Sequence, residues 1–258
     1  MSEEVELPPH RFAGLVAPAV DRVVVGALAA VRERGGAELS QRYGGPAATG
    51  FLVEFRTRLA APGGTVSGPG FAAVTRYRDT SLCQRALDKQ VAHGMIHRRD
   101  DGGFLATERG SAFLTDIYQL HARATRELWV EHTERVGRLV ETLGRLLGAA
   151  LASAAEEDDP GLAAAFVTMA PPYEPDGTPL GVLLLNRLTV LRYHRADAHA
   201  AAWTAAGHTA RSIVDLPTGP ERLAIELETD RRAAGPYAVL TPEERLTMLA
   251  DLAALPAG

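Results

Sequence analysis

Apolar residues recur every three or four positions through most of the chain, which predicts helices, with one short β element between residues 94 and 107. Pro8 and Pro9 lead from an unstructured start into "HRFAGLVAPAVDRVVVGALAAVRERGG", whose charged tail and Gly35-Gly36 pair mark a helix end. Pro18 allows a kink or a division in two. A second helical stretch around "TGFLVEFRTRLA" stops at "APGG", and "SGPGFAAVTRYRD" predicts a short helix. In the next helix Leu82, Ala86, Leu87 and Val91 form an apolar stripe at helical spacing, leaving Ser81, Gln84, Arg85, Asp88 and Lys89 on other faces. Gly94 ends it. "MIHRR" and "FLAT" are short strands around "DDGG", a tight-hairpin composition, and Thr107 caps the helix that follows.

From residue 107 the pattern is helical to about Ser153, with a break near Trp129. Its second half places Val136, Leu139, Val140, Leu143, Leu146, Leu147, Ala150 and Leu151 on one stripe, a surface for dimerisation or for packing on the helix of residues 10–33. "EEDDPG" at 156–161 is a turn or linker, and a C-terminal helical region follows. Four segments result: N-terminal helices over 1–65, a small module over 66–110, a long helical segment over 111–155 and a helical region over 162–258.

Composition narrows the function classes. The 258 residues are 46% hydrophobic, enough for a sizeable core without staples. The one cysteine, Cys83, excludes an intrachain disulfide and a Cys-rich zinc site. The start carries no basic segment followed by an apolar one, and "LGVLLLNRLTVL" is broken by Asn186 and Arg187, so a cytoplasmic protein without a membrane role is expected. No P-loop, dinucleotide fingerprint, nucleophile elbow or "HExxH" occurs, and no cofactor or catalytic residue is expected.

Helix, helix, hairpin and helix in this order predict a winged helix-turn-helix with a small β-hairpin wing, embedded in a larger, mostly α body. The stretch "FAAVTRYRDTSLCQRALDKQVAHGMIHRRDDGGFLATERG" resembles the winged-helix core of MarR-like bacterial regulators. In those proteins a recognition helix ends in a glycine and a basic wing returns through a "T-x-x-G" turn. "LRYHRADAHAAAW" and "ETDRRAAGPY" are similar to C-terminal segments of a largely uncharacterised group of actinobacterial winged-helix proteins. The chain runs well past the length of an ordinary MarR-like regulator. The resemblance implies that Ser81, Gln84, Arg85 and Lys89 face the major groove of double-stranded DNA, with Arg98 and Arg99 at phosphates or the minor groove. Residues 71–110 hold seven cations and five acids, a charge of +2 in a chain of −5. That asymmetry fits a DNA-facing lobe, although Asp88 lies on the same face.

The C-terminal region carries the less ordinary chemistry. "DGTPLGVLLLNRLTVLRYHRADAHAAAWTAAGH" predicts one helix from a Thr178 cap and Pro179 to Gly207. Arg187, His194 and Asp197 share its apolar face, whereas Arg192, Arg195 and His199 lie on another side that reads as solvent-facing. In "TGPERLAIELETDRRAAGPY" the residues Leu223, Leu227, Asp230 and Ala234 make an inward stripe, so Asp230 needs a partner, with Arg187 and His194 the candidates. The group is either a buried network that fixes helix packing or the polar wall of an effector pocket. His194 and His199 diverge around the helix, and His194 with Asp197 supply too few ligands for a metal. The expected function is a ligand-responsive, homodimeric transcriptional regulator. The alternatives are an enzyme of specialised metabolism using His194 and Asp197 for acid–base work, and an interaction protein with neither activity.

Overall fold

The computed structural model describes residues 7–256, so the expected unstructured start lies outside the described residues. The protein is mostly helical with one small antiparallel sheet. Pro9–Val31 forms α1, in which Pro18 sits without interrupting the helix, followed across a distorted turn by α2, Ala37–Arg42. Next come α3, Pro46–Glu54, and α4, Arg56–Leu59. The α1–α2 stretch is long and apolar enough by composition to cross a membrane. Its inward residues Phe12, Val16, Val20, Val23 and Ala27 are buried, and α1 packs on four later helices: α7, Glu108–Leu128; α10, Leu180–Ala205; α12, Pro220–Arg232; and α13, Pro242–Ala254.

Between these lies the small module. Thr65–Val66 is β1, Gly68–Val74 is α5, Thr80–Ala92 is α6, and Ile96–Arg98 and Phe104–Ala106 are β2 and β3. The sheet order is β1-β3-β2, with Val66 and Arg98 both opposite Phe104. Strand β1 lies in "GTVSGPGF", a sequence whose glycines and two-residue strand leave no alternation to read. The turn between β2 and β3 has Gly102 at a φ of +77°, a conformation that costs other residues a Cβ clash. Beneath the sheet, Phe51, Phe55, Phe71 and Phe104 pack ring edge to ring face, with centroids 4.9 Å apart for Phe51 and Phe71 and 5.6 Å for Phe55 and Phe104. Those contacts fix the sheet and α5 onto α3 and α4.

On α6 the buried residues are Cys83, Leu87 and Gln90, while Leu82 is 59% exposed and Val91 38%. The inward stripe is therefore rotated from the one expected, because Cys83 and the buried amide of Gln90 take the places assigned to Leu82 and Val91. Helix α7 ends at Leu128, beside Trp129, and α8 runs Thr133–Glu156. Its stripe from Val136 to Ala150 is buried within the chain against α10, the turn at 235–239 and α13, rather than on α1. A six-residue helix α9, Ala164–Met169, and a second, α11, Ala210–Asp215, complete the body. One continuous apolar core runs from Leu7 to Leu255 and draws on all four sequence segments.

Candidate functional site

Two regions hold the residues singled out from the sequence. The first is the outer face of α6 with the hairpin. Asp79 starts α6 by accepting from the Leu82 N–H at 2.8 Å, leaving the first turn exposed. Ser81, Gln84, Arg85, Asp88 and Lys89 are all exposed, as is Arg99. Arg98 reaches from β2 to donate to Gln84 Oε1 at 2.9 Å and to Asp88 Oδ1 at 2.7 Å, so the acid on this face is matched by a guanidinium of the hairpin. Arg99 stands 3.4 Å from Asp101. Arg85 and Lys89 have no ion-pair or hydrogen-bond partner for their side chains among the described residues. At one end of this face Arg109 lies 5.8 Å over the Tyr43 ring.

The second region surrounds α10, and its four expected ligand residues do not converge. Arg187 holds Glu174 through Nε at 3.0 Å and Nη2 at 2.6 Å, and donates to the Val140 carbonyl at 2.7 Å. His194 sets its ring edge-on to Phe166, with centroids 5.5 Å apart, and burial pulls its pKa down to about 4. Asp197 pairs with Arg76 and accepts from the N–H groups of Phe166 at 2.8 Å and Ala165 at 3.3 Å. Asp230 pairs with Arg195 at 2.7 Å, not with Arg187 or His194. His194 and Asp197 alone share a surface, a cleft of about 240 Å³ with Phe166 and Arg232.

The stripe on α12 is likewise rotated: Ile225 and Thr229 are buried, whereas Leu223 is 60% exposed and Leu227 49%. Beside α10 the Asp230 carboxylate also lies against α1 at Gly14, where a Cβ would collide with it. The pair is partly buried, at 26% for Arg195 and 19% for Asp230, between the exposed and fully desolvated limits. Asp230→Ala is therefore expected to lower stability by about 1 to 3 kcal/mol in urea titration. Combined with Arg195→Ala, the loss falls short of the sum of the two. An additive pair of near-zero effects would make Asp230 an ordinary surface acid.

Arg195 and His199 are not solvent-facing as expected. With Trp203 they repeat at i, i+4 and i+8, a spacing that could have marked them as one inward stripe. His199 Nδ1 lies 3.0 Å from the Tyr77 hydroxyl, which also accepts from Trp203 Nε1 at 3.0 Å. Burial pulls His199 below the usual imidazole range, with Glu226, 3.7 Å from Nε2, pulling the other way. Sequence reasoning also missed Arg56, fully buried beside α10, which donates to Thr189 Oγ1 at 3.2 Å and to the Val53 carbonyl at 3.1 Å.

Comparison with family models, curated proteins and solved structures finds no match to this chain.

Proposed function

We propose that this chain is a ligand-responsive DNA-binding transcriptional regulator, with residues 66–110 acting as a winged helix-turn-helix of the MarR-like type. The observation that carries the reading is the pair Arg85 and Lys89. They stand one helical turn apart on an exposed face, beside a hairpin, and neither is used in ion pairing among the described residues. Two like charges at i and i+4 slightly disfavour a helix on its own, whereas the phosphates and base edges of a DNA groove attract them. Ser81 and the amide nitrogen of Gln84 add donors on the same face. Arg98 buttresses Gln84 and Asp88 and stiffens the helix against the wing. In this reading Arg99 reaches phosphate, the chain works in the cytoplasm, and a homodimer presents two such helices to a palindrome.

Selection of bound fragments from a genomic library with the purified protein tests the proposal. Enrichment of one sequence is expected, and its affinity should fall steeply between low and moderate salt. Arg85→Ala and Lys89→Ala should each weaken that complex by about 1 to 3 kcal/mol if they make base contacts, without changing the melting temperature. An unchanged affinity in the double variant, or no enriched sequence, defeats this assignment of α6.

A further inference from the structure

The segment between α5 and α6 is tied to α10 at consecutive residues. Arg76 pairs with Asp197, and Tyr77 bonds to His199 and to Trp203. Arg78 turns the other way, to Glu54 at 2.7 Å. Because residue 79 caps α6, any displacement of Tyr77 is passed to the first turn of that helix over two residues of chain.

Tyr77 and His199 also form one wall of a cleft of about 350 Å³ between α1, α10 and α12. Its other walls are largely apolar: Ala17, Val20, Leu191 and Ala196, with Tyr237 at one side. The charges around it are already matched. Arg192 pairs with Asp21 at 2.5 Å, and Arg195 with Asp230 at 2.7 Å and with Glu226 at 3.6 Å. A charged ligand would have to break one of these pairs; a neutral one need not. Two donors lack partners. Tyr237 is buried, and its hydroxyl makes no hydrogen bond among the described residues. His199 Nε2 has no hydrogen-bond partner among the described residues, and the Glu226 carboxylate 3.7 Å away favours a proton on that nitrogen, so that the Tyr77 hydroxyl donates to Nδ1.

We infer that this cleft binds a small, neutral, mainly apolar molecule carrying a hydrogen-bond acceptor, of the class of aromatic ketones, and that its occupancy is transmitted through Tyr77 to α6. The volume suits a ligand of two fused rings, at the small end of the usual range for such sites. The acceptor oxygen takes its hydrogen bond from Tyr237 or, with Glu226 swung aside, from His199. Glu226 is 41% exposed and stands 3.6 Å from Arg195 and 3.7 Å from His199, so this second mode, unlike the one through Tyr237, gives up a loose ion pair. The inference supplies the ligand that the regulator reading needs and rests on that reading only for the consequence at DNA.

The test uses the fluorescent neutral ketone 6-propionyl-2-(dimethylamino)naphthalene with the full chain. Its emission should shift to the blue and saturate at one probe per chain. Ala17→Phe and Ala196→Phe, which fill the cleft from α1 and α10, should each weaken binding at least tenfold, and Tyr237→Phe about three- to tenfold. Two filling variants on different helices guard against one that fails to fold. Probe binding in wild type should slow amide exchange over residues 80–84. No saturable binding, or equal binding by both folded filling variants, overturns the site. Unchanged exchange in probe-saturated wild type overturns the coupling. Neither result depends on DNA, so a chain that binds the probe but selects no sequence would count against the regulator reading alone.

Discussion

Asp197→Ala is expected to lower the stability of the folded chain by about 3 to 5 kcal/mol. Asp197 is 4% exposed and its partner Arg76 only 15%. The carboxylate joins three separate segments. It holds Arg76 ahead of α6, and it accepts from the N–H groups of Ala165 and Phe166, the second and third residues of α9. Helix α9 has no capping side chain of its own, since Ala163 stands at its N-cap, so Asp197 acts from α10 as the missing cap. Removing it leaves a poorly solvated guanidinium and two orphaned donors.

Arg76→Ala should cost less, because the two partners are not equivalent. Burial pushes the Asp197 carboxyl up, although Phe166 and Arg76 pull it down, so a stranded carboxylate can take a proton and become neutral. A stranded guanidinium cannot. The double variant should be more stable than the sum of the single losses implies, and Asp197→Asn should fall between wild type and Asp197→Ala by keeping an acceptor for α9. Urea titrations of the four variants measure this directly. A loss below about 1 kcal/mol for Asp197→Ala would place the group in the range of surface pairs and remove its role as a joint. The same geometry weakens an acid–base role for Asp197, since its oxygens are engaged by three donors.

Helix positions could be read from the sequence more easily than the faces those helices present. The break at Trp129, the end of α6 at Gly94 and the Thr107 cap of α7 follow from local chemistry, because a turn glycine or a capping hydroxyl acts within four residues of itself. The stripe of α8 was legible for a related reason: seven large or small aliphatic residues leave only one possible inward face. On α6 and α12 the inward positions include Cys83, Gln90 and Thr229, which hydropathy ranks below Leu82, Leu223 and Leu227. What buries them is tertiary, namely α3 beneath α6 and α10 beneath α12. Pairing was least legible. The stripe on α12 asks for a partner for Asp230 and offers Arg187 and His194, yet Asp230 meets Arg195, while Arg187, His194 and Asp197 meet Glu174, Phe166 and Arg76, all brought together only by the fold. A helical stripe states that a charge points inward; it carries no information about which distant segment will meet it.

Acid should destabilise this protein well above the pH at which carboxylates protonate, and His194 should carry a measurable part of the loss. Its ordinary pKa of 6.5 falls to about 4 in the folded chain because burial disfavours the imidazolium, and its ring makes no hydrogen bond among the described residues that would hold a charge. Above pH 6.5 the imidazole is neutral in both states and costs nothing. Between 6.5 and about 4 the unfolded chain binds a proton that the folded chain refuses, so stability falls as pH falls. Below that window both states are protonated and the loss from this group is complete, at about 3 kcal/mol. His121 adds to it with the same sign, since full burial and the nearby Arg56 push it well below the usual range. Asp197 acts in the opposite sense: its carboxyl is raised, so the folded chain holds a proton longer than the unfolded one and its contribution improves as pH drops. Comparison with His194→Phe removes that complication, because Asp197 and His121 are common to both chains and phenylalanine keeps a ring against Phe166. Urea titrations at pH 7.5, 6, 5 and 4.5 should give curves that diverge below about pH 6.5, with the variant losing less stability at every step. Parallel curves would mean that His194 accepts its proton in the folded state as readily as in the unfolded one, and that the wall it shares with Phe166 is wetter than the packing indicates.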